Sequence, residues 1–167
     1  PAAGDGQWDF GTTSILEVPF SGKFSMIHQV GHLIQFADHQ DARVPFTDNE
    51  RLSALIDENA YRDMGDITNT QLSFLYRPWS FANFGVGYSA AYKQRDYWTG
   101  GFAPQSRYDV LGVETNQYMQ SAIFNIGVSS LSAFRKKKFP LPLTANLYYT
   151  RVFDGRNVRN ADLWSLN

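Results

Sequence analysis

Apolar and polar residues alternate with a period of two along most of the chain. From Ala82 the even positions read Ala82, Phe84, Val86, Tyr88, Ala90 and Tyr92, while the odd positions read Asn83, Gly85, Gly87, Ser89, Ala91 and Lys93. Successive side chains of a strand point to opposite sides, so this run predicts a strand of about eleven residues with one apolar face and one small or polar face. Residues 118–130 repeat the pattern, with Ala122, Phe124, Ile126 and Val128 opposite Gln117, Ser121, Asn125, Gly127 and Ser129. A third run sets Leu141, Leu143, Ala145, Leu147 and Tyr149 against Thr144, Asn146, Tyr148 and Thr150. A fourth sets Thr70, Leu72, Phe74 and Tyr76 against Gln71, Ser73 and Arg77. Residues 24–36 form a less regular fifth, and 8–18 and 161–167 complete a set of seven.

The connections alternate in length. Segments 19–23, 77–80 and 135–140 read as short turns rich in Pro, Ser, Gly or basic residues, and between them lie the longer segments 37–68, 95–113 and 154–160. Short turns at one end and long loops at the other suit an up-and-down sheet whose two ends face different compartments. Aromatic residues flank both sets. Phe20, Phe24, Tyr76, Trp79, Phe81, Phe134 and Phe139 border the short turns, and Phe36, Tyr92, Tyr97, Trp98, Tyr118, Tyr149 and Phe153 lie toward the long loops. Amphipathic rings at both strand ends are the expected girdles of a bilayer-spanning sheet, although aromatics are also common in strands generally. In the first long loop, Thr47 and Glu50 stand at capping-box spacing and Leu52, Leu55 and Ile56 follow at helical spacing, which predicts a short helix over about 48–62.

Composition narrows the reading. The 167 residues are 43% hydrophobic and 16% aromatic but only 19% charged, whereas a disordered chain carries few aromatics and many charges. No apolar run approaches the ~18 residues of a spanning helix. Fifteen basic against sixteen acidic residues give a net charge of −1, no positive excess to attract nucleic acid, and the basic run is Arg135 to Lys138. The absence of cysteine removes disulfides and thiolate chemistry. The first residues, Pro1 to Gly4, contain no apolar signal core, so an export signal is expected to have been cleaved or omitted.

With its runs Phe84-Gly-Val-Gly-Tyr-Ser-Ala-Ala-Tyr92 and Ala122-Ile-Phe-Asn-Ile-Gly-Val-Ser129 and its alternating loops, the chain resembles a bacterial outer-membrane β-barrel. The resemblance is to an architecture, with no motif of a particular uptake channel, porin or lipid-modifying family. It implies an all-β fold, an antiparallel up-and-down transmembrane barrel of about seven to eight strands, formed by residues 1–167 as one domain or as a section of a wider barrel. It also implies the outer membrane of a Gram-negative-type bacterium, with lipid as partner and further strands or another chain as completion. Barrels of this kind commonly finish on an aromatic, whereas this chain stops at Leu166 and Asn167, with Trp164 the nearest aromatic. An odd strand number with the first strand starting on the loop side favours incompleteness or partnership.

Candidate chemistry is sparse. A pore needs a polar lumen, and Asn83, Ser89, Lys93, Gln117, Ser121, Asn125, Ser129, Asn146 and Arg151 would supply one; the same residues would equally fill a small solid barrel. The expected function is a pore or channel section passing small solutes, with a structural or adhesion barrel and an interfacial lipid enzyme as alternatives. A soluble ligand-binding barrel would carry more Lys and Glu on its water-facing strands. His28 and His32 would share a helix face, but in a strand they stand ~13 Å apart, too far for one metal, and His39 adds no pattern. Asp57, Glu58, Asp63 and Asp66 form an acidic loop group that could take divalent cations, although a solvated helix face is the simpler reading. No serine stands in a motif with a histidine, so no catalytic residue, metal ligand or cofactor is assigned, and a non-catalytic role is favoured.

Overall fold

The computed structural model describes residues 8–45, 54–158 and 161–166. They are all-β and antiparallel. The strands are β1 (Asp9–Ser21), β2 (Phe24–Gln35), β3 (Asp38–Pro45), β4 (Ala54–Asp63), β5 (Ile67–Trp79), β6 (Ala82–Lys93), β7 (Tyr97–Thr99), β8 (Gln117–Ser129), β9 (Thr144–Arg156) and β10 (Asp162–Leu166). Two five-residue helices, α1 (Gln105–Asp109) and α2 (Leu131–Arg135), interrupt them. Seven strands form the main sheet in the order β1-β2-β5-β6-β8-β9-β10, and β3-β4-β7 form a second, smaller sheet.

Register fixes the two faces of the main sheet. Opposed residues share a face, and the rows Met26–Phe74–Val86–Phe124–Tyr149 and Phe84–Ile126–Leu147 run across it on one side. The other side carries Ser73–Gly87–Ile123–Thr150 and Leu75–Gly85–Asn125–Tyr148. The faces read from alternation are therefore those the register makes. The apolar side is not a core: Val86, Phe124 and Ile126 are 52%, 48% and 51% exposed. Among the described residues the buried hydrophobic cluster Ala42, Val44, Ala60 and Tyr108 lies outside the main sheet, packed by Trp98, Ala103 and Leu111.

Within these residues the main sheet is open. β1 and β10 each pair on one side only, and because every neighbouring pair is antiparallel, the two edge strands run in the same direction. A closed barrel is thus not formed by the pairings of the described residues.

The connections obey the length rule at two of the three tight ends. Residues 22–23 join β1 to β2 and residues 80–81 join β5 to β6, but the β8–β9 connection covers 130–143 and contains α2. Leu141 and Leu143, expected in the strand, precede it; Leu143 is held by exchange with Ser130, whose N–H donates to the Leu143 carbonyl at 2.8 Å. The two longer loops build a rim above the sheet from β3, β4, β7 and α1.

The helix expected over 48–62 is overturned for its described part. Residues 54–63 are strand β4, paired with β3 from Ala54↔Pro45 to Arg62↔Asp38. The spacing of Leu55 and Ile56 fits either element, because a short apolar run does not distinguish them. The pairing decides it. Ala60 is buried beside the β3 core residues, and Arg62 grips Asp38 through two hydrogen bonds of 2.9 and 2.8 Å. A bulge opposite Asp41, fixed by the Asn59 N–H donating to Asp57 at 3.1 Å, shifts the strand's alternation and hides it from a period-two reading. Thr47, Glu50 and Leu52 lie outside the described residues.

Candidate functional site

The polar face is built from glycines and carboxamides laid beside one another. Asn83 and Asn146 flank Gly127 across three strands, and a Cβ on Gly127 would overlap both amide groups. Asn125 lies opposite Gly85, and a Cβ on Gly87 would stand 2.8 Å from Ser73 Oγ. Absent side chains thus make room for neighbouring polar ones, which explains why small residues alternate with Asn and Ser. The result is a cavity of about 300 Å³ on this face, whose lining includes Gln71, Ser73, Asn83, Asn125, Asn146 and Tyr148 with Ile27, Leu75 and Ile123. Gln71 donates to Ser73 at 3.1 Å, Ser89 and Ser121 hydroxyls share a bond of 2.7 Å, and Ser129 meets Thr144 at 3.2 Å.

Eight of the nine expected lumen residues, Asn83, Ser89, Lys93, Gln117, Ser121, Asn125, Ser129 and Asn146, share this face by register. Lys93 is ion-paired to Asp96 at the rim end, so its charge is locally balanced. Arg151 is the exception. It stands opposite Ala122 and Asp162, in the row of Tyr88, on the apolar side. Its alternation with Tyr149 already carried that position, and its charge alone put it with the polar set.

Aromatics distribute unevenly. Phe20, Tyr76, Trp79, Phe81, Phe134 and Phe139 are exposed at the tight-turn end, with Trp79 and Phe81 stacked at 5.5 Å and Phe20 and Phe24 tilted against each other at 5.9 Å. Tyr92 is exposed near the rim end of β6. Two expected girdle residues lie elsewhere. Tyr149 is in the middle of β9, between Phe124 at 6.1 Å and Trp164 at 4.5 Å, because β9 continues to Arg156. Trp98 belongs to β7 and packs on the rim core with the Arg62 guanidinium 5.9 Å from its ring centroid.

His28 and His32 sit on the apolar side without any slip of register at Gly31. Their ring nitrogens meet hydroxyls of the next strand, His28 with Thr70 at 3.1 Å and His32 with Thr68 at 2.9 Å, which satisfies polar atoms on an otherwise apolar face. Sequence reasoning left them without partners because Thr68 and Thr70 are some forty positions away. The acidic group is dispersed by separate contacts. Asp57 accepts from Tyr108, Asp66 accepts from the Gln35 N–H at 3.1 Å, and Glu58 and Asp63 are exposed. Among the described residues no three His, Asp or Glu side chains converge as a metal cradle.

The rim holds a contact no local motif signals. Tyr108, fully buried, donates its hydroxyl to Asp57 on β4 and accepts from the Phe102 N–H at 3.2 Å. Burial, then the Asp57 carboxylate, pushes its pKa above the ordinary tyrosine value. Gly65 joins rim to sheet: a Cβ there would collide with the Gln94 carbonyl, and its N–H donates to Asp96 at 3.0 Å.

Compared with known protein families, curated proteins and solved structures, the chain matches none.

Proposed function

We propose that this chain contributes seven strands to an outer-membrane β-barrel and that the barrel is a pore for small solutes. The observation that carries the reading is the apolar side of the main sheet. Phe74, Val86, Phe124, Ile126 and Leu147 form contiguous rows, with Val86, Phe124, Ile126 and Leu147 exposed, and nothing in the described chain packs over them as a core. Soluble monomers rarely expose apolar patches beyond a few hundred Å². A lipid solvent removes that conflict. Strand length agrees, because the twelve residues of β6 extend ~40 Å and, tilted by ~45°, rise ~28 Å, enough for the ~25 Å apolar band of an outer-membrane barrel.

The opposite face supports passage of solute. Its Asn, Gln and Ser groups offer uncharged donors and acceptors, Arg77 adds one cation at the tight-turn end, and the rim-end Lys93 is neutralised by Asp96. The two edges running in one direction mean that an all-antiparallel ring closes only with an odd number of further strands. A second copy in the same membrane orientation would bring parallel edges together. One added strand gives a barrel ~8 strands round, whose interior is filled by side chains; a wider ring leaves a channel.

Conductance in planar bilayers tests the pore. Discrete current steps are expected from the folded barrel purified together with the strands that complete it. Folded, inserted protein that passes no current defeats the pore and leaves a structural barrel.

A further inference from the structure

Charge is distributed unequally between the two ends of the main sheet. Residues 19–25, 76–82 and 129–143 make the tight-turn end and contain Lys23, Arg77, Arg135, Lys136, Lys137 and Lys138 without one Asp or Glu. The three connections are neighbours: the Arg77 N–H donates to the Lys23 carbonyl at 2.7 Å, and the Ser129 N–H to the Phe81 carbonyl at 2.8 Å. The carboxylate on this half of the sheet, among the described residues, is Glu17, on the polar side opposite Ile27, where Arg77 also lines the cavity; the other five cations lie in the connections themselves. None of the six cations forms an ion pair with a described residue. At the rim the situation is reversed, with Arg62 held by Asp38, Lys93 by Asp96, and Arg95 by the carbonyls of Gly112 and Asp109.

Like charges gathered without counter-charges repel one another, so an arrangement of this kind is favourable when an anion lies against it. The surroundings define which anion. Exposed Phe20, Trp79, Phe81, Phe134 and Phe139 interleave with the cations, and an open groove of about 600 Å³ sets Phe134, Phe139 and Pro140 beside Arg135, Lys137 and Lys138. Rings of this kind rest at the headgroup level of a bilayer, where lysine and arginine stems also reach outward to phosphate. Dissolved polyanions would use the cations but give the rings no apolar medium.

We infer that the tight-turn end docks on the headgroups of anionic phospholipids in the leaflet on its side of the membrane. The inference rests on the barrel reading above and adds the identity of the lipid. Each cation near such a surface gains attraction from its negative potential, and the attraction weakens with salt.

The test uses the full chain with Trp8, Trp98 and Trp164 changed to Phe, leaving Trp79 as reporter at this end. It is reconstituted, together with the strands that complete its barrel, in phosphatidylcholine vesicles holding a minority of brominated lipid. Brominated phosphatidylglycerol is expected to quench Trp79 about twofold or more over brominated phosphatidylcholine at equal mole fraction. The excess should shrink at high salt and vanish in R135Q/K136Q/K137Q/K138Q. Equal quenching by the two lipids overturns the inference while leaving the barrel reading intact. No quenching by either, with protein left in the supernatant, overturns the barrel reading itself. Loss of the excess on adding inorganic phosphate, but not chloride at matched ionic strength, would mean that the groove takes a soluble anion, and this too overturns the inference. Should the quadruple variant fail to insert, the milder pairs K23Q/R135Q and K137Q/K138Q carry the same comparison.

Discussion

Gly127 and Tyr108 represent two ways in which single residues hold this chain. Gly127 works by what it lacks: Asn83 and Asn146 occupy the space a side chain would need. Gly127→Ala should lower folding stability in vesicles by about 1–3 kcal/mol, as overpacking does, and Asn83→Ala in the same chain should recover part of the loss. Urea unfolding followed by tryptophan emission measures both. Tyr108 works through its hydroxyl, which Asp57 and the Phe102 amide share. Tyr108→Phe leaves those groups short of a partner and should open the rim at a cost of about 1–3 kcal/mol, read as faster hydrogen exchange in β3 and β4. The pH dependence has a definite sign. Folding raises the Tyr108 pKa, so the contact is intact below the ordinary tyrosine value of ~10 and is lost as pH climbs through the raised one. The Phe variant should lack that alkaline loss. Of these residues, the polar-face set was readable because alternation alone assigns a face. Tyr108 was not, since its partner is on another loop, and Arg151 was misread by weighing charge above alternation.

Among the elements, the main strands were legible and the rim was not. β6 and β8 announce themselves because each side faces a different environment along its whole length. β4 does not, because its bulge changes the alternation midway and its stability comes from β3 rather than from local preference. The Arg62–Asp38 pair closes that hairpin at its base, with both side chains mostly shielded at 11% and 18% exposure. Arg62→Ala would leave Asp38 without its two-pronged partner, and a charge-assisted bond of this kind is worth about 1.5–3 kcal/mol. Hydrogen exchange should therefore speed up in β3 and β4 while β5, β6 and β8 keep their protection. Equal loss across the main sheet would mean that rim and sheet unfold together. The acidic residues read as one loop group separate for the same reason the helix was misjudged: pairing of β3 with β4 points them at different partners.

At the scale of the whole molecule, seven strands were countable from the sequence, and the open edges follow from their order and direction. Whether anything pairs with those edges is not encoded in the alternation, which assigns faces and not neighbours. The two faces should respond differently to the same substitution. Val86→Arg puts a charge in the middle of the apolar side and should cost about 2–4 kcal/mol of folding free energy in a bilayer, whereas Asn125→Arg on the opposite side should alter conductance with little effect on stability. Folding titrations into vesicles, compared with current recordings, separate these effects. The central claim, that one side of this sheet meets lipid and the other water, has a direct measurement, helped by the chain's lack of native cysteine. Single cysteines at successive positions of β6 and β8, each carrying a nitroxide, report collision with lipid-soluble oxygen and with a water-soluble nickel complex. Labels at 84, 86, 124 and 126 should favour oxygen, and labels at 83, 89, 125 and 129 should favour nickel, alternating residue by residue. Nickel reaching 86 and 124 as readily as 89 and 125 would contradict the account.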